Sequence, residues 1–177
     1  MKTNIALIGF MGTGKTTIGR ALAKKLNKTL VEMDSLIEQK ARKPIADIFR
    51  DDGEIAFRQL EIEVTKEVAE YENRIIACGG GIVLNRINID RLKKNAVIIL
   101  LTVSFDVIHK RVSADSSIRP LLNSKVDKAQ TIKELMEFRQ PFYERAADIQ
   151  VDSSSLGIES TVDLIIDKFK AYENSNK

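Results

Sequence analysis

The chain has 177 residues, of which 44% are hydrophobic and 30% charged, a size and composition that favour one soluble domain. The net charge is only +3 and no basic run accompanies it, so we expect no nucleic-acid partner. A single cysteine excludes an internal disulfide. No apolar stretch is long enough to cross a bilayer and the N-terminus does not resemble a signal peptide, so the sequence predicts a cytoplasmic protein without a membrane partner.

Alternating strands and helices are predicted along the chain. Short apolar segments rich in β-branched residues predict strands over 4–10, 29–34, 74–78, 96–103 and 147–152. Amphipathic segments predict helices over 15–27, 53–71, 126–146 and 160–173, and residues 174–177 are expected to fray. Pro141 is expected to bend or break the third of these helices. The alternation indicates βαβ units, and so an α/β fold in which helices cover a parallel sheet.

The first strand leads into GFMGTGKTT, residues 9–17, and the first helix follows directly. This segment matches the P-loop pattern G-x-x-x-x-G-K-[ST] in full, and its place between a strand and a helix is the context that the pattern requires. Its backbone amides can surround phosphate oxygens because small residues leave room, and the positive end of the helix faces the same anion. The residues expected to contact the nucleotide are Gly12, Thr13, Gly14, Lys15, Thr16 and Thr17.

Two side chains of the P-loop have more specific expected roles. Lys15 is expected to follow the β- and γ-phosphates, and the Thr16 hydroxyl is the expected ligand of Mg²⁺. A glycine-rich turn without a ligand is the plainer alternative, and a dinucleotide site fails because the glycines do not follow G-x-G-x-x-G. The GTPase pattern N-K-x-D also fails, since Leu30 replaces the aspartate in NKTL. A short P-loop chain with additional arginines indicates a small-molecule kinase with ATP as co-substrate.

The remaining motifs resemble those of the shikimate kinase family. The resemblance runs from Ile5 to about Asp152 and is carried by GFMGTGKTTIGRALAKKL, MDSLIE, PIADIFRDDGEIAFRQLE, GGGIV, RPLL and RQPFYERAA. Many families share the P-loop, whereas IFxxxGExxFRxxE together with RPLL and RxPxYxxxA is much more specific. The resemblance implies phosphorylation of the 3-hydroxyl of shikimate by ATP, which gives shikimate 3-phosphate in chorismate and aromatic amino-acid biosynthesis.

The resemblance also implies an architecture. We expect a three-layer α/β sandwich with a five-stranded parallel sheet in the order 2-3-1-4-5 and helices on both faces. One P-loop kinase domain is expected to span residues 1–177, with a substrate-binding segment at about 33–61 and a lid at about 112–126. We expect the enzyme to act as a monomer.

Asp34 follows the second strand, at the edge of the sheet where ligands bind in open α/β folds. A carboxylate there can accept the hydrogen bond of a substrate hydroxyl and take its proton during attack on the γ-phosphate. Capping of the next helix is the alternative. The resemblance implies that Asp34 is the base and binds the reacting 3-hydroxyl. Glu32, on the same strand face, departs from the usual D-x-D of the family, but its longer carboxylate could still reach Mg²⁺ through a water.

Two arginines are the expected clamp for a substrate carboxylate, because the planar guanidinium matches a carboxylate bidentately. Arg58 lies in the FR motif and Arg139 in RxPxY, and the resemblance implies that both hold the carboxylate of shikimate. A solvated surface arginine is the alternative for each. Glu61 follows Arg58 by three residues on the same helical face and is expected to orient its guanidinium.

Three consecutive glycines follow the third strand and leave room for a ligand beside the backbone. They are Gly79, Gly80 and Gly81, and the resemblance implies that Gly80 contacts the substrate carboxylate. A tight turn is the alternative. Phe49 and Phe57 resemble the apolar wall beside the substrate ring, with a plain core role as the alternative.

Arg119 opens RPLL within the polar, serine-rich segment 113–128. It resembles the lid arginine that swings onto the phosphates and offsets charge in the transition state, although a surface arginine is the alternative. Arg111 is expected to contact adenine. No base contacts are assigned near residues 153–156. His109 is interpreted as a surface residue and Cys78 as a small buried one.

Two other functions compete with this interpretation. Another small-molecule P-loop kinase, such as a gluconate kinase, would share the loop and the lid but has no need of GExxFRxxE with RxPxY. A nucleotide-binding regulator that has lost catalysis is the second possibility. Asp34, Arg58, Arg119 and Arg139 argue against it, while Glu32 leaves it open.

Overall fold

The computed structural model describes residues 2–114 and 128–176. Within these ranges the chain forms five strands, which are β1 (Asn4–Ile8), β2 (Thr29–Glu32), β3 (Arg74–Ala77), β4 (Ala96–Thr102) and β5 (Ile149–Asp152). All pair in parallel in one sheet of order β2-β3-β1-β4-β5, which confirms the predicted order. The carboxyl ends of all five strands therefore lie along one edge of the sheet.

Eight α-helices and one 3₁₀ turn connect and cover the strands in the described ranges. They are α1 (Lys15–Lys25), α2 (Met33–Ala41), α3 (Ile45–Asp51), α4 (Gly53–Val68), the 3₁₀ turn (Ile82–Leu84), α5 (Arg86–Asn95), α6 (Phe105–Ala114), α7 (Lys128–Ala146) and α8 (Ile158–Ser175). None of the helices in these ranges has the length and apolar character that spanning a membrane would need.

The hydrophobic core consists of two layers because alternate residues of each buried strand point to opposite faces. On one face, Ala6 and Ile8 of β1 pack with buried side chains of α2 to α7. On the other face, Ile5 and Leu7 pack with buried side chains of α1 and α8. Strands β1 and β4 are buried on both faces, as their continuous apolar sequences predict. The three-layer sandwich is therefore confirmed.

Three local features differ from the sequence prediction or extend it. Helix α7 continues through Pro141, so of the expected bend or break the break is wrong, and the exposed position of this proline lets solvent satisfy the carbonyl that it cannot bond. Helix α8 extends to Ser175, whose hydroxyl donates to the carbonyl of Ala171, so part of the predicted frayed tail is helical. Of the expected lid at 112–126, only the end of α6 lies within the described residues.

Candidate active site

The P-loop joins β1 to α1 in a conformation that its glycines permit. Gly12 and Gly14 have φ angles of 79° and 90°, in the left-handed region that costs other residues energy. Gly14 occupies the N-cap of α1 without a side-chain hydrogen bond, so the first amides of the helix face the loop interior. Lys15 Nζ donates to the carbonyl oxygens of Gly9 (2.8 Å) and Phe10 (2.9 Å), which fixes the ammonium group over the loop.

A pocket of about 470 Å³ lies against the P-loop. Its wall on the P-loop side consists of the six predicted nucleotide-contacting residues together with Ile18. Arg111 lies across from them, and its Nη1 donates to the carbonyl of Gly12 at 2.9 Å. Arg119, the other arginine predicted to act on the nucleotide, lies outside the described residues.

The far wall of this pocket was not assigned from the sequence. It contains Ser153, Leu156, Ile158 and Thr161, which follow β5 and begin α8. Leu156 and Ile158 are apolar yet 37% and 47% exposed, as suits a surface that a flat aromatic base could cover. The signal available in the sequence was the short loop SSSLG, residues 153–157, at the carboxyl end of the last strand, where ligands bind in this class of fold.

Glu32 ends β2 beside the start of α1. Thr16 Oγ1 donates to Glu32 Oε2 at 3.4 Å, and Arg20 Nη2 donates to Glu32 Oε1 at 3.3 Å. A hydroxyl and a carboxylate oxygen are the hard ligands that Mg²⁺ prefers. The described residues contain no group of three or more histidine, cysteine, aspartate or glutamate side chains that could hold a metal. This donor set fits a Mg²⁺ ion that takes most of its other ligands from phosphate and water.

The residues predicted to bind the substrate meet beside the P-loop, around the three glycines that follow β3. A methyl group placed on Gly79 would lie 3.0 Å from Asp34 Oδ1 and 3.4 Å from Glu61 Oε1. One placed on Gly80 would lie 3.7 Å from Arg139 Nη1. Space therefore favours glycine at Gly79, where the methyl group would crowd two carboxylates, whereas the distance at Gly80 is ordinary van der Waals contact; neither residue has a positive φ.

Gly81 is the tightest of these positions. A methyl group there would lie 2.4 Å from Arg58 Nη1, well inside van der Waals contact. Arg58 is held in this place by two carboxylates of its own helix, α4. Its Nη1 donates to Glu61 Oε2 at 3.0 Å and its Nη2 to Glu54 Oε1 at 3.1 Å. The predicted contact between Glu61 and Arg58 is therefore present.

Glu61 is a buried carboxylate, with only 1% of its surface exposed. Burial raises the pKa of its carboxyl group, and the positive charge of Arg58 opposes the rise. Burying a carboxylate costs free energy unless it is paired, so the ion pair between Glu61 and Arg58 restrains both side chains.

The Phe57 ring packs 4.7 Å from the ring of Phe49 and lies under the Arg58 guanidinium. Phe57 belongs to the core and Phe49 packs against it, so the core role is present, and the apolar wall beside a substrate ring stays a prediction.

Arg139 enters the same site from α7. It is 4% exposed, its guanidinium lies 5.9 Å from the centroid of Phe10, and its Nε has no hydrogen-bond partner among the described residues. It forms no ion pair with any of those residues. A buried cation with an unsatisfied donor beside Gly80 is a suitable receptor for an anionic group of a ligand.

Tyr143 was not predicted as a site residue from the sequence, although it belongs to the RxPxY motif. Its hydroxyl donates to the carbonyl of Gly80 at 2.5 Å, and its side chain is 2% exposed. The available signal was spacing, because Tyr143 follows Arg139 by four residues and so lies on the same face of α7.

Three further predictions from the sequence concern Asp34, His109 and Cys78. Asp34 lies in the first turn of α2, whose N-cap is Glu32 without a side-chain hydrogen bond, so the predicted capping alternative for Asp34 is wrong. His109 is half-buried and stacks on Phe105, rather than lying freely on the surface. Cys78 is buried, and burial raises the pKa of its thiol to about 12, which keeps it protonated and unreactive.

A P-loop at the first βα turn, a parallel sheet of order 2-3-1-4-5 and a second polar site beside the phosphate loop define a P-loop kinase of small molecules. The shikimate kinase family model matches residues 11–170. The chain belongs to the shikimate kinase family, so the family resemblance of its motifs is confirmed.

Individual relatives agree over almost the full length. The chain is 44% identical to the shikimate kinase of Caldanaerobacter subterraneus subsp. tengcongensis over 92% of this chain and 94% of that protein. It is 41% identical to the shikimate kinase of Thermodesulfovibrio yellowstonii, with 97% of each chain covered.

Solved structures show the same relationship. The shikimate kinase from Acinetobacter baumannii in complex with shikimate has a TM-score of 0.91 and 29% identity, with 97% of this chain and 94% of that chain covered. The shikimate kinase from Aquifex aeolicus has a TM-score of 0.80 and 35% identity, with 94% and 96% covered. A gluconokinase from Sinorhizobium meliloti has a TM-score of 0.53 and 15% identity over 92% of this chain and 89% of that chain, and so shares the fold alone.

Proposed function

We propose that the chain transfers the γ-phosphoryl group of ATP to the 3-hydroxyl of shikimate, giving ADP and shikimate 3-phosphate in chorismate biosynthesis. The observation that carries this proposal is the meeting of Asp34, Arg58 and Arg139 around Gly79–Gly81, directly beside the P-loop. One carboxylate and two guanidinium groups at that place suit an acceptor that carries both a hydroxyl and a carboxylate.

The pocket against the P-loop binds ATP, the phosphoryl donor. The amides of residues 12–17 and the Lys15 ammonium hold the phosphates, and Leu156 and Ile158 offer an apolar surface to the adenine. Thr16 would hold Mg²⁺ directly and Glu32 would hold it through water; when bound, the ion neutralises charge on the phosphates. Arg111 already contacts the loop through Gly12 and extends this wall toward the base.

The glycine segment Gly79–Gly81 and the side chains around it bind the phosphoryl acceptor. Arg58 and Arg139 approach Gly81 and Gly80 from different helices, so a carboxylate placed there can accept hydrogen bonds from both guanidinium groups. Asp34 lies on the far side of Gly79, where its carboxylate can orient a ring hydroxyl and accept its proton. Glu61 acts through Arg58, while Phe49 and Phe57 border the same region.

The lid at about 112–126 and its Arg119 complete the proposal. We assign them from the family motif RPLL: closure excludes water, which would compete as acceptor, and the guanidinium offsets charge on the phosphates. The predictions of a monomer and of a cytoplasmic location rest on the sequence.

The proposed reaction is tested by ADP release from ATP and Mg²⁺ with shikimate, with gluconate or without an acceptor. We expect release that depends on shikimate and stays at the background rate with gluconate. A gluconate signal would favour the related kinase instead. ATP binding without turnover for either acceptor would favour the regulatory protein, and in both cases the proposed substrate would be wrong.

Substitution of Gly81 by alanine is expected to raise the KM for shikimate about tenfold, with the KM for ATP unchanged. The new methyl group would overlap the Arg58 guanidinium, which must move away from the proposed carboxylate site. The φ of Gly81 is −96°, so alanine fits the backbone and the fold is retained. Steady-state kinetics with each substrate varied in turn measure the effect.

Gly157→Ala is the matched control, because Gly157 has no atom within 4 Å of the added methyl group and a φ of −73°. It should leave the shikimate KM unchanged. An unchanged shikimate KM in Gly81→Ala would contradict the proposed position of Arg58 in the site.

A further inference from the structure

The Tyr143 hydroxyl connects two parts of the acceptor site. It lies on α7 one turn after Arg139 and donates to the carbonyl of Gly80 at 2.5 Å, across 63 residues of sequence. Its ring is buried in the core, with 2% of the side chain exposed. This hydrogen bond ties α7 to the glycine segment Gly79–Gly81.

The bond to Gly80 also sets the direction of the following amide. The carbonyl of Gly80 and the N–H of Gly81 belong to one planar trans peptide, in which they point in opposite directions. Holding the carbonyl toward Tyr143 therefore holds the Gly81 N–H away from it. Glycine has the largest backbone freedom of any residue, so three glycines in a row need such a constraint to keep one orientation.

Arg139 lies near the same hydroxyl. Burial raises the pKa of Tyr143 to about 12, and the positive charge of the Arg139 guanidinium opposes the rise. The hydroxyl therefore stays protonated and can donate to the carbonyl of Gly80. Gly80 and Arg139 are also direct neighbours, since a methyl group on Gly80 would lie 3.7 Å from Arg139 Nη1.

We infer that Tyr143 is a positioning residue for the acceptor's carboxylate: its hydroxyl holds the Gly80 peptide in one orientation beside the Arg139 guanidinium before the substrate binds. The inference rests on the proposed function and deepens it. Preorganised donors lower the cost of binding, because fewer groups must be ordered when the ligand arrives. We expect the effect to be confined to acceptor binding, because the hydrogen bond of the Tyr143 hydroxyl runs to Gly80, beside the proposed acceptor site.

Replacement of Tyr143 by phenylalanine tests the inference, because it removes the hydroxyl and keeps the buried ring. We expect the KM for shikimate to rise about tenfold, with kcat within about twofold and the KM for ATP unchanged. Calorimetric binding of shikimate to the whole protein should show the same weakening. A purely structural role would lower Tm without separating the two KM values.

Tyr71→Phe is the matched control. Its hydroxyl donates to Glu67 on the exposed side of α4, remote from the glycine segment, and its loss should leave both KM values unchanged. If Tyr143→Phe behaves like this control, or weakens ATP and shikimate equally, the inference is overturned while the proposed function stands. If the unsubstituted protein does not turn over shikimate at all, the proposed function is overturned and this inference with it.

Discussion

Replacement of Asp34 by asparagine is expected to lower kcat for shikimate phosphorylation by about 10²- to 10⁴-fold. The amide keeps the size of the side chain but cannot accept the proton of the attacking hydroxyl. Asp34 lies beside Gly79, apart from the nucleotide pocket, so the affinity for ATP should change little. Measurement of ADP release at saturating ATP and shikimate gives kcat, and calorimetry gives nucleotide affinity.

Asp106→Asn is the control for this substitution. Asp106 is also an exposed aspartate in the first turn of a helix, α6, and it has no proposed role. Its replacement should leave kcat within about twofold of the unsubstituted value, since surface substitutions have small effects. If Asp34→Asn retained most of its activity, proton transfer to Asp34 could not be part of the reaction.

Arg139→Met is expected to raise the KM for shikimate by about 10- to 100-fold, because two charge-assisted hydrogen bonds to the carboxylate are lost. The same substitution should not lower Tm. Arg139 is a buried cation with an unsatisfied Nε and no ion pair among the described residues, so an apolar side chain of similar length removes a desolvation cost. Loss of substrate affinity together with retained or raised stability would identify a group kept for function.

Arg145→Met provides the comparison within the same helix. Arg145 is exposed and its guanidinium lies over the Phe142 ring, away from the glycine segment. We expect no change in the KM for shikimate and only a small change in Tm, measured by thermal denaturation of both variants under identical conditions. A large fall in Tm for Arg139→Met alone would mean that Arg139 stabilises the fold rather than the bound substrate.

Local sequence patterns predicted those structural features that are determined by residues adjacent in the sequence. The P-loop follows from nine consecutive residues, and the sheet strands follow from short apolar segments, so both were predictable. The separation of the 33–51 region into α2 and α3 depends on Pro44, which precedes α3, and was not delimited from the pattern. Pro141 shows the opposite error, because its exposed position lets α7 stay continuous where the residue type favours a break.

Contacts between residues that lie far apart in the sequence could not be predicted from local sequence patterns. The bond from Tyr143 to Gly80 crosses 63 residues and the bond from Arg111 to Gly12 crosses 99. Nothing near either residue specifies its partner, since only the packed fold brings them together. Motif resemblance supplied Arg58 and Arg139 as site residues, but their approach to particular glycines required coordinates.

The two halves of the site are built from different parts of the chain. The proposed donor pocket uses residues 12–18, Arg111 and four residues between 153 and 161, whereas the proposed acceptor region uses Asp34, Arg58, Arg139 and the three glycines. An inhibitor with a carboxylate that occupies the acceptor region would not need to displace ATP. It would also meet a pair of guanidinium groups that kinases of uncharged acceptors have no reason to carry. Selectivity in drug design against this enzyme is therefore expected to come from the acceptor region, because many other protein families carry the same P-loop.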